Sequence, residues 1–490
     1  MKFDKPTYCN PIPLENMPAG RWLDTQHDKG GEHSVPDFRS VADPSAIYYE
    51  GKWILYPSYH MAWVSEDLVK WTPVDIGVPH LRYSPAVVEF RGKWYLFGHC
   101  ISDVYCADHP LGPFTRCGQM TDLDGNEVKV CDGCYLADGD HLYFYFFRLE
   151  MPKEGEDLAF VTGTVGVELD PDKPWQFLTE PVWINKFDPT RKWQCIGEHN
   201  QYDRCGYIEG QWMTKINGRY YLLFSGAATE YGSYANGIVY SDEGPLSGFV
   251  PQKNHDPLTE KRSGLLRGAG HGCITEGPNG TYWTFYTTVF NFYHRYERRI
   301  GVDPIGIDEN GELFCPAVTE TPQFAAGVLE HPEFGNDAGL LPLTFMQRPT
   351  ATSWTEGREP LYAVDDSVHT WWQPRDDDPE KTLTVPFGWL RENWVCAVRL
   401  LWRDVGMETL EGINPGAFQY VIEYRSQEDP TWRILVDASE NKTDLVVDYR
   451  TFTPTRASDI RIRILGAPHG IHPALVSITA FGKPVHLGDE

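Results

Sequence analysis

A short pattern recurs five times within residues 51–288 and constrains the fold more than any other feature of the sequence. Each copy is a glycine followed by a run of aromatic and aliphatic residues. The copies begin at Gly51 (GKWILYPSY), Gly92 (GKWYLFGHC), Gly139 (GDHLYFYFF), Gly218 (GRYYLLFSG) and Gly280 (GTYWTFYTT). Glycine permits the positive φ of a tight turn, and the residues that follow suit a buried strand. Because one such hairpin cannot bury its own faces, five stacked copies predict a five-bladed β-propeller.

The character of the sequence changes after residue 345. Short strand-like runs separated by turn residues follow, at Ala397–Trp402, Tyr420–Tyr424, Trp432–Val436, Ile460–Leu465 and Val476–Phe481. This alternation is typical of a β-sandwich. The sequence therefore predicts an all-β protein with a propeller over residues 1–325, a connector over 326–345 and a sandwich over 346–490.

The chain is strongly acidic, with 43 Lys and Arg against 69 Asp and Glu and a formal charge of −26. This balance argues against nucleic acid or an anionic membrane as a partner, since both require basic patches. No apolar run is long enough to cross a membrane, and the N-terminus lacks the apolar core of a secretory leader. We therefore expect a cytoplasmic protein, or a secreted one if a leader has been removed.

The eleven cysteines show no paired metal-ligand spacing. Cys131 and Cys134 form a CxxC sequence, but no second pair follows it. We expect free thiols, buried or half-buried, rather than a redox or metal site. Free thiols also fit a reducing compartment.

Three carboxylic acids stand at similar offsets before the repeated glycines. Asp43, Asp132 and Glu209 precede Gly51, Gly139 and Gly218 by 8, 7 and 9 residues. Equivalent positions in different blades lie at similar distances from the propeller axis, so the three carboxyl groups are predicted to converge. The alternative is that they are ordinary turn residues, since Asp-Pro and Asp-Gly are common in turns. The shared offset favours a site.

Converging carboxylic acids suit the hydrolysis of a glycosidic bond. One acid protonates the leaving oxygen, and a second carboxylate activates water or attacks directly. A third carboxylate nearby raises the pKa of the acid and keeps it protonated near neutral pH. The abundant aromatic residues (17 Trp, 26 Tyr and 24 Phe) supply strand cores and also suit sugar binding, because sugar C–H faces stack on aromatic rings.

Residues 8–325 resemble glycoside hydrolase family 43. The resemblance is carried by stretches in the family's order: residues 42–45 (ADPS), 65–71 (SEDLVKW), 110–114 (PLGPF), 132–139 (DGCYLADG), 209–210 (EG) with 220–222 (YYL), and 244–249 (GPLSGF). It implies an inverting mechanism. Asp43 would be the general base and Glu209 the general acid, and Asp132 would orient Glu209 and raise its pKa.

The same resemblance implies further residues around the substrate. Thr229 and Arg298 correspond to positions that face the sugar, and His271 to an axial histidine that faces a central ion or water. Tyr83 stands where the family often has a tryptophan, so it is expected to contact the substrate in a different way.

Residues 346–484 resemble a discoidin-like domain, the coagulation factor type C fold shared by carbohydrate-binding module family 32. The matching stretches are residues 364–367 (VDDS), 370–372 (TWW), 420–424 (YVIEY) with Ser426 and Trp432, 461–464 (RIRI) and 478–482 (ITAFG). The resemblance implies a jelly-roll sandwich. It also implies that Asp365 and Asp366 are either ligands of a structural calcium ion or plain turn residues. No cofactor is required for the chemistry.

The expected function is that of an inverting, exo-acting glycosidase. It would release a terminal arabinofuranose, xylose or galactofuranose from plant or microbial oligosaccharides. Two alternatives stay open: a catalytically silent carbohydrate-binding propeller, and a glycoside phosphorylase that would use Arg298 and Arg299 to bind phosphate. A retaining fructan hydrolase would carry an Asn-Asp-Pro-Asn sequence, which is absent. The sequence leaves the oligomeric state open.

Overall fold

The structure, a computed structural model, describes residues 5–20, 37–58, 61–78, 81–290, 295–388 and 392–485. It confirms the all-β prediction, with five antiparallel sheets followed by two further sheets that pack as a sandwich. Residues 21–36, part of the region predicted as propeller, lie outside the described residues.

Each of the five sheets is one blade of the propeller. In chain order the strands are Ser45–Tyr49, Lys52–Tyr56, Met61–Ser65 and Thr72–Asp75 in blade 1; Ala86–Phe90, Lys93–Phe97, Asp103–Ala107 and Thr115–Gln119 in blade 2; Cys131–Asp138, His141–Glu150, Val161–Asp170, Lys173–Phe177 and Val182–Lys186 in blade 3; Glu209–Ile216, Arg219–Gly226, Ala235–Ser241 and Val250–Pro251 in blade 4; and Gly270–Glu276, Tyr282–Val289, Arg298–Ile307 and Leu313–Phe314 in blade 5. The first strands of neighbouring blades contact one another, so they lie nearest the axis.

The repeated glycine pattern forms the turn and the second strand of every blade, as predicted. The five glycines have φ between 62° and 87°. At Gly51, Gly92, Gly139 and Gly218 an added Cβ would meet nothing within 4 Å. These glycines are therefore required for their backbone conformation and not for space. The long interval between the third and fourth copies is explained by the fifth strand of blade 3, Val182–Lys186, which pairs with Val161–Asp170.

The N-terminal segment packs along blade 5. Thr7–Tyr8 pairs with Gln323–Phe324, which follows the last strand of that blade. The side chain of Asn10 donates to the carbonyl of Val302 at 2.9 Å and accepts from its N–H at 3.0 Å. These bonds tie the chain's first described residues to its last blade.

The sandwich has one sheet of four strands and one of five. In sheet order they are Leu341–Pro342, His472–Pro484, Asn393–Val405 and Val447–Ala457, and then Thr350–Ala351, Thr382–Pro386, Asp459–Gly466, Gln419–Arg425 and Arg433–Ala438. Leu341–Pro342 lies inside the segment predicted as connector, so the sandwich begins before residue 346. Proline is tolerated there because this strand is at the edge of its sheet.

Helical structure in the described ranges consists of short 3-10 segments, at Lys192–Gln194, Pro278–Gly280, Pro332–Phe334, Pro360–Ala363 and Thr409–Glu411. No helix in the described part of the chain has the length and apolar character needed to cross a bilayer.

Buried arginines join the propeller to the sandwich. Arg39 donates to the carboxylates of Asp404 and Asp444, with closest contacts of 2.7 and 2.9 Å. Arg399 of the sandwich donates to the carbonyls of Asn10 at 2.6 Å and Glu320 at 2.8 Å. Buried charges of this kind are retained only when they are paired. The two units therefore form a continuous packed body, with a hydrophobic core that includes residues of both.

Asp303 is the buried acid at the junction between the N-terminal segment and blade 5. Its carboxylate accepts bonds from Tyr286 Oη and Thr319 Oγ1, both at 2.5 Å, and a longer one from Tyr8 Oη at 3.4 Å. Burial raises the pKa of Asp303 to about 7, although these donors oppose the shift. Between its unfolded pKa of 3.8 and about 7, the folded protein therefore holds a proton that the unfolded chain releases.

We expect this group to reduce the free energy of unfolding as the pH rises from about 4 to about 7, by about 4 kcal/mol in total. Asp303→Asn cannot ionise, so the variant should gain stability relative to the wild type over the same range. Denaturant unfolding at several pH values measures the difference. Asp140→Asn, in an exposed turn, is the control. A difference between Asp303→Asn and wild type that does not change with pH would contradict the prediction.

Candidate active site

Each of the five blades carries one residue with positive φ close to the start of its first strand. These residues are Asp43, Ser84, Asp132, Gly210 and His271, with φ of 51°, 49°, 52°, 59° and 37°. In blades 3, 4 and 5 the strand has a β-bulge at this point. A bulge with a left-handed residue redirects its side chain. The equivalent position in the blades therefore presents functional groups around the axis.

A cavity of about 370 Å³ opens where these residues meet. All seven residues that the sequence predicted for the catalytic domain line it: Asp43, Tyr83, Asp132, Glu209, Thr229, His271 and Arg298. Sequence reasoning missed the other polar and aromatic lining residues: His99, Tyr207, Glu230, Tyr234, Arg295 and Tyr296.

Asp43 is only 4% exposed, and three neighbours contact its carboxyl group. Ser58 Oγ donates to Oδ2 at 2.7 Å, and Arg298 Nη1 donates to Oδ1 at 3.0 Å. The Nδ1 atom of His271 lies 3.3 Å from the same Oδ1. This pairing with an arginine fits Asp43 to the role of a general base, the group that accepts a proton from water.

Arg298 connects the predicted substrate-contacting residues. The Nη1 that donates to Asp43 also lies 3.0 Å from Thr229 Oγ1, to which it donates. Its guanidinium carbon lies 5.7 Å from the centre of the Tyr83 ring. Arg298, Thr229 and Tyr83 thus form one wall of the cavity beside Asp43.

Asp132 remains ionised in spite of its burial. Burial alone would raise its pKa, but a hydrogen bond from His99 and the charges of His271 and His99 lower it to about 2. The bond joins His99 Nδ1 to Asp132 Oδ1 at 2.7 Å. The N–H of Gly210 also donates to Oδ2, at 3.4 Å.

Glu209 lies at the start of the first strand of blade 4, one residue before Gly210. Burial raises its pKa well above the ordinary value, and the negative charges of Asp132 and Asp43 raise it further. The hydroxyl of Tyr234 donates to Oε1 at 2.9 Å and opposes the shift. The pKa of Glu209 is thus raised while that of Asp132 is lowered, which separates their roles.

His271 packs at the centre of the ring of blade starts. Its Nε2 lies 2.9 Å from Ser84 Oγ, and its Nδ1 faces Asp43. Both ring nitrogens thus have protein partners among the described residues. A Cβ at Gly210 would lie 2.7 Å from Cγ of His271, which explains the glycine after Glu209.

Comparison of the sequence with known protein families matches residues 38–313 to the family described as glycosyl hydrolases family 43. The chain belongs to this family. It is therefore a glycosidase, and glycans are its substrates. The match spans the five blades and includes the residues of the cavity described above.

Relatives of this family 43 glycosidase include the beta-D-galactofuranosidase xynD of Aspergillus niger, which is 22% identical over 354 residues, 63% of this chain and 90% of that protein. A solved structure described as a glycoside hydrolase has 17% identity and a TM-score of 0.50, and the match covers 90% of this chain and 97% of that one. A thermostable family-43 glycoside hydrolase has 18% identity and a TM-score of 0.50, over 65% and 99% of the two chains. These two structures show the same fold.

In the sandwich of this family 43 protein, Asp365 is bonded within its own turn. It accepts a bond from the Ser367 N–H at 3.1 Å through Oδ1 and one from Thr370 Oγ1 at 2.7 Å through Oδ2. Both of its oxygens therefore stabilise this turn. Burial raises the pKa of Asp366 to about 6. A calcium ion at these two residues stays a prediction.

The prediction of free thiols is wrong for Cys131, which forms a disulfide with Cys100. The partner lies 31 residues earlier, after the second strand of blade 2. Cys134, the other cysteine of the CxxC sequence, is a buried free thiol as expected, and burial raises its pKa to about 12.

One group among the described residues has the composition of a metal site: His99, Cys100 and Cys131, whose ligand atoms lie within 4.8 Å of one another. Both sulfurs are used by the disulfide, and Nδ1 of His99 bonds to Asp132. The group is therefore structural in this form of the protein.

Proposed function

We propose that this family 43 protein is an inverting, exo-acting glycoside hydrolase that removes a terminal sugar from an oligosaccharide. The observation that carries the proposal is the placement of two acidic residues with different surroundings in one cavity. Glu209 has a pKa raised well above its usual range, whereas Asp43 pairs with Arg298 and accepts a hydrogen bond from Ser58. An acid and a base in one cavity are what inverting hydrolysis requires.

In the proposed reaction Glu209 gives its proton to the glycosidic oxygen as the bond from that oxygen to the anomeric carbon breaks. Asp43 accepts a proton from the water that attacks the opposite face of the same carbon. Tyr234 occupies Oε1 of Glu209, which directs the acidic proton to Oε2. The negative charge of Asp132 keeps Glu209 protonated until the substrate binds.

The size and lining of the cavity support a small terminal sugar as the group that enters it. Its volume of about 370 Å³ is near the lower limit of ligand pockets, which span roughly 300–1,000 Å³. Tyr83, Tyr207 and Tyr296 offer rings for the C–H faces of the sugar. The relative named as a galactofuranosidase favours a furanose, and arabinofuranose and xylose are the other candidates.

The contacts of the two adjacent arginines do not favour a phosphorylase. Arg298 is paired with Asp43 and Thr229. Arg299 donates to the main-chain carbonyls of Arg39 and Arg298, both at 2.9 Å. Arg299 also lines a separate small cavity, next to Arg39 and Asp404. The two guanidinium groups therefore do not point to a common phosphate site.

We expect inversion at the anomeric carbon. A panel of nitrophenyl glycosides (α-L-arabinofuranoside, β-D-xyloside, β-D-galactofuranoside and several pyranosides) identifies the sugar. Proton NMR of the first-formed product from the best substrate then reports its configuration. A product with retained configuration would exclude Asp43 as a base that acts on water. Undiminished release of the same sugar from an oligosaccharide by Glu209→Ala would contradict the role of the acid.

A further inference from the structure

The Cys100–Cys131 disulfide lies directly beside two residues of the active site. Cys100 follows His99, and Cys131 precedes Asp132. The bridge therefore joins blade 2 to the first strand of blade 3 at the point where His99 Nδ1 meets Asp132 Oδ1. Main-chain bonds support the same junction, because the Cys100 N–H donates to the carbonyl of Val130 at 2.8 Å.

The geometry points to this disulfide as a redox-sensitive clamp that holds His99 against Asp132 and so makes turnover depend on the state of the bridge. His99 is a positioning residue in this proposal, since it acts on the reaction through Asp132. The inference rests on the proposed hydrolase activity and adds a form of control to it.

Non-covalent contacts also hold the loop that carries His99. The His99 N–H is shared between the carbonyls of Leu81 at 3.2 Å and Tyr83 at 3.0 Å, which belong to the loop before blade 2. Its ring has an edge contact with Tyr83 at 5.9 Å between centroids. The disulfide is the covalent restraint between this loop and blade 3, and displacements of about 1 Å near a reacting centre cost roughly 100-fold in rate.

Both cysteines are half-buried, so a small dithiol can reach the bridge. A thiolate of the reductant attacks one sulfur of the bridge, so the S–S bond breaks and a mixed disulfide forms between protein and reductant. The second thiol of the reductant then attacks the mixed disulfide and frees the protein cysteine. In sum, two electrons and two protons pass from the dithiol to the protein. The products are the thiols of Cys100 and Cys131 and the oxidised cyclic disulfide of the reductant.

Loss of the clamp has a defined electrostatic consequence. Without the donor on His99, Asp132 holds a proton more readily, and its negative charge no longer raises the pKa of Glu209 as strongly. The basic limb of the kcat/KM profile, which reports the loss of the proton from Glu209, then moves to lower pH. The charged and titratable groups that face this pair are His99, His271, Asp43, Glu230, Tyr207 and Tyr234.

The chain provides a clean test, because all eleven cysteines lie in described residues and nine of them are already free thiols. A thiol count before and after dithiothreitol establishes the state of the bridge. We expect reduction to lower kcat by roughly 10- to 100-fold with little change in KM, and to move the basic limb down by about one pH unit. The Cys100→Ser/Cys131→Ser double variant should reproduce both effects and be insensitive to the reductant.

His99→Gln leaves the bridge intact, and we expect it to show the same shift of the basic limb. Reduction of the bridge should then have no additional effect on this variant. Cys117→Ser, in the outer strand of blade 2, should behave as wild type in both redox states. Identical kinetics and pH profiles for oxidised and reduced protein would overturn the proposal, as would a purified protein with eleven free thiols.

A readout without turnover separates this proposal from the proposed hydrolase function. In histidine-labelled protein, the ring ¹⁵N signals of His99, assigned with His99→Gln, should change on reduction whether or not any glycoside is hydrolysed. Unchanged signals in a reduced protein that hydrolyses glycosides would overturn the clamp alone. Changed signals in a protein that hydrolyses none of the panel would support the clamp and overturn the function.

Discussion

Glu209→Gln is expected to lower kcat/KM by roughly 10³- to 10⁴-fold on substrates whose leaving group is a sugar or an alcohol. Such leaving groups must be protonated as they depart, and glutamine has no proton of comparable acidity to give. In free energy this is about 4 to 5 kcal/mol of lost transition-state stabilisation. Steady-state kinetics on an oligosaccharide measures the loss.

The same variant should lose much less activity on a dinitrophenyl glycoside, because that leaving group departs without protonation. The contrast between the two substrates tests whether Glu209 donates a proton, and not merely whether the site needs a glutamate side chain. Glu154→Gln, an exposed residue of blade 3, controls for the substitution itself. Equal losses on both substrates would show that Glu209 is not the acid.

Asp43→Asn is expected to lower kcat by roughly 10³-fold or more on every substrate, whatever the leaving group. The attacking water still needs a base when the leaving group is a good one, and an amide cannot accept its proton. The asparagine retains an acceptor for Arg298 or Ser58, so the shape of the site is kept.

Folding must be checked alongside, because the variant replaces the carboxylate that pairs with the buried guanidinium of Arg298. Circular dichroism and thermal melting establish that the protein is folded under assay conditions, and Asp124→Asn in an exposed turn is the control. Ser58→Ala, which removes one donor to Asp43, should lose less than Asp43→Asn. A folded Asp43→Asn protein with near-normal turnover would contradict the assignment of the base.

The offsets between the carboxylic acids and the repeated glycines predicted the site well, because each offset lies within a single hairpin. A hairpin of fixed length places the start of its first strand at a set distance from its turn, so a residue 7 to 9 positions before the glycine lies near the axis. The same rule applied to Gly92 and Gly280 finds Ser84 and His271, whose side chains are hydrogen-bonded to each other in the structure. In blade 4 the left-handed position is held by Gly210, one residue after Glu209.

Other parts of the site could not be predicted in this way. Tyr234 reaches Glu209 from the residue just before the third strand of blade 4, and His99 reaches Asp132 from the neighbouring blade. Neither contact has a fixed spacing in the chain, because it depends on how blades pack and on loop length. The pairing of Cys100 with Cys131 has the same origin, which is why the expectation of free thiols was wrong for these two cysteines.

The sequence by itself determined the five blades, the sandwich and the positions of the carboxylates, since these follow from turn chemistry and strand periodicity within short segments. Only the tertiary structure decided which carboxyl group has a raised pKa. Glu209 and Asp132 are both acids at the start of first strands, and local sequence does not distinguish them. Asp132 receives His99 and the Gly210 N–H from other blades, whereas Glu209 meets the charge of Asp132, and this difference in neighbours sets their pKa values apart.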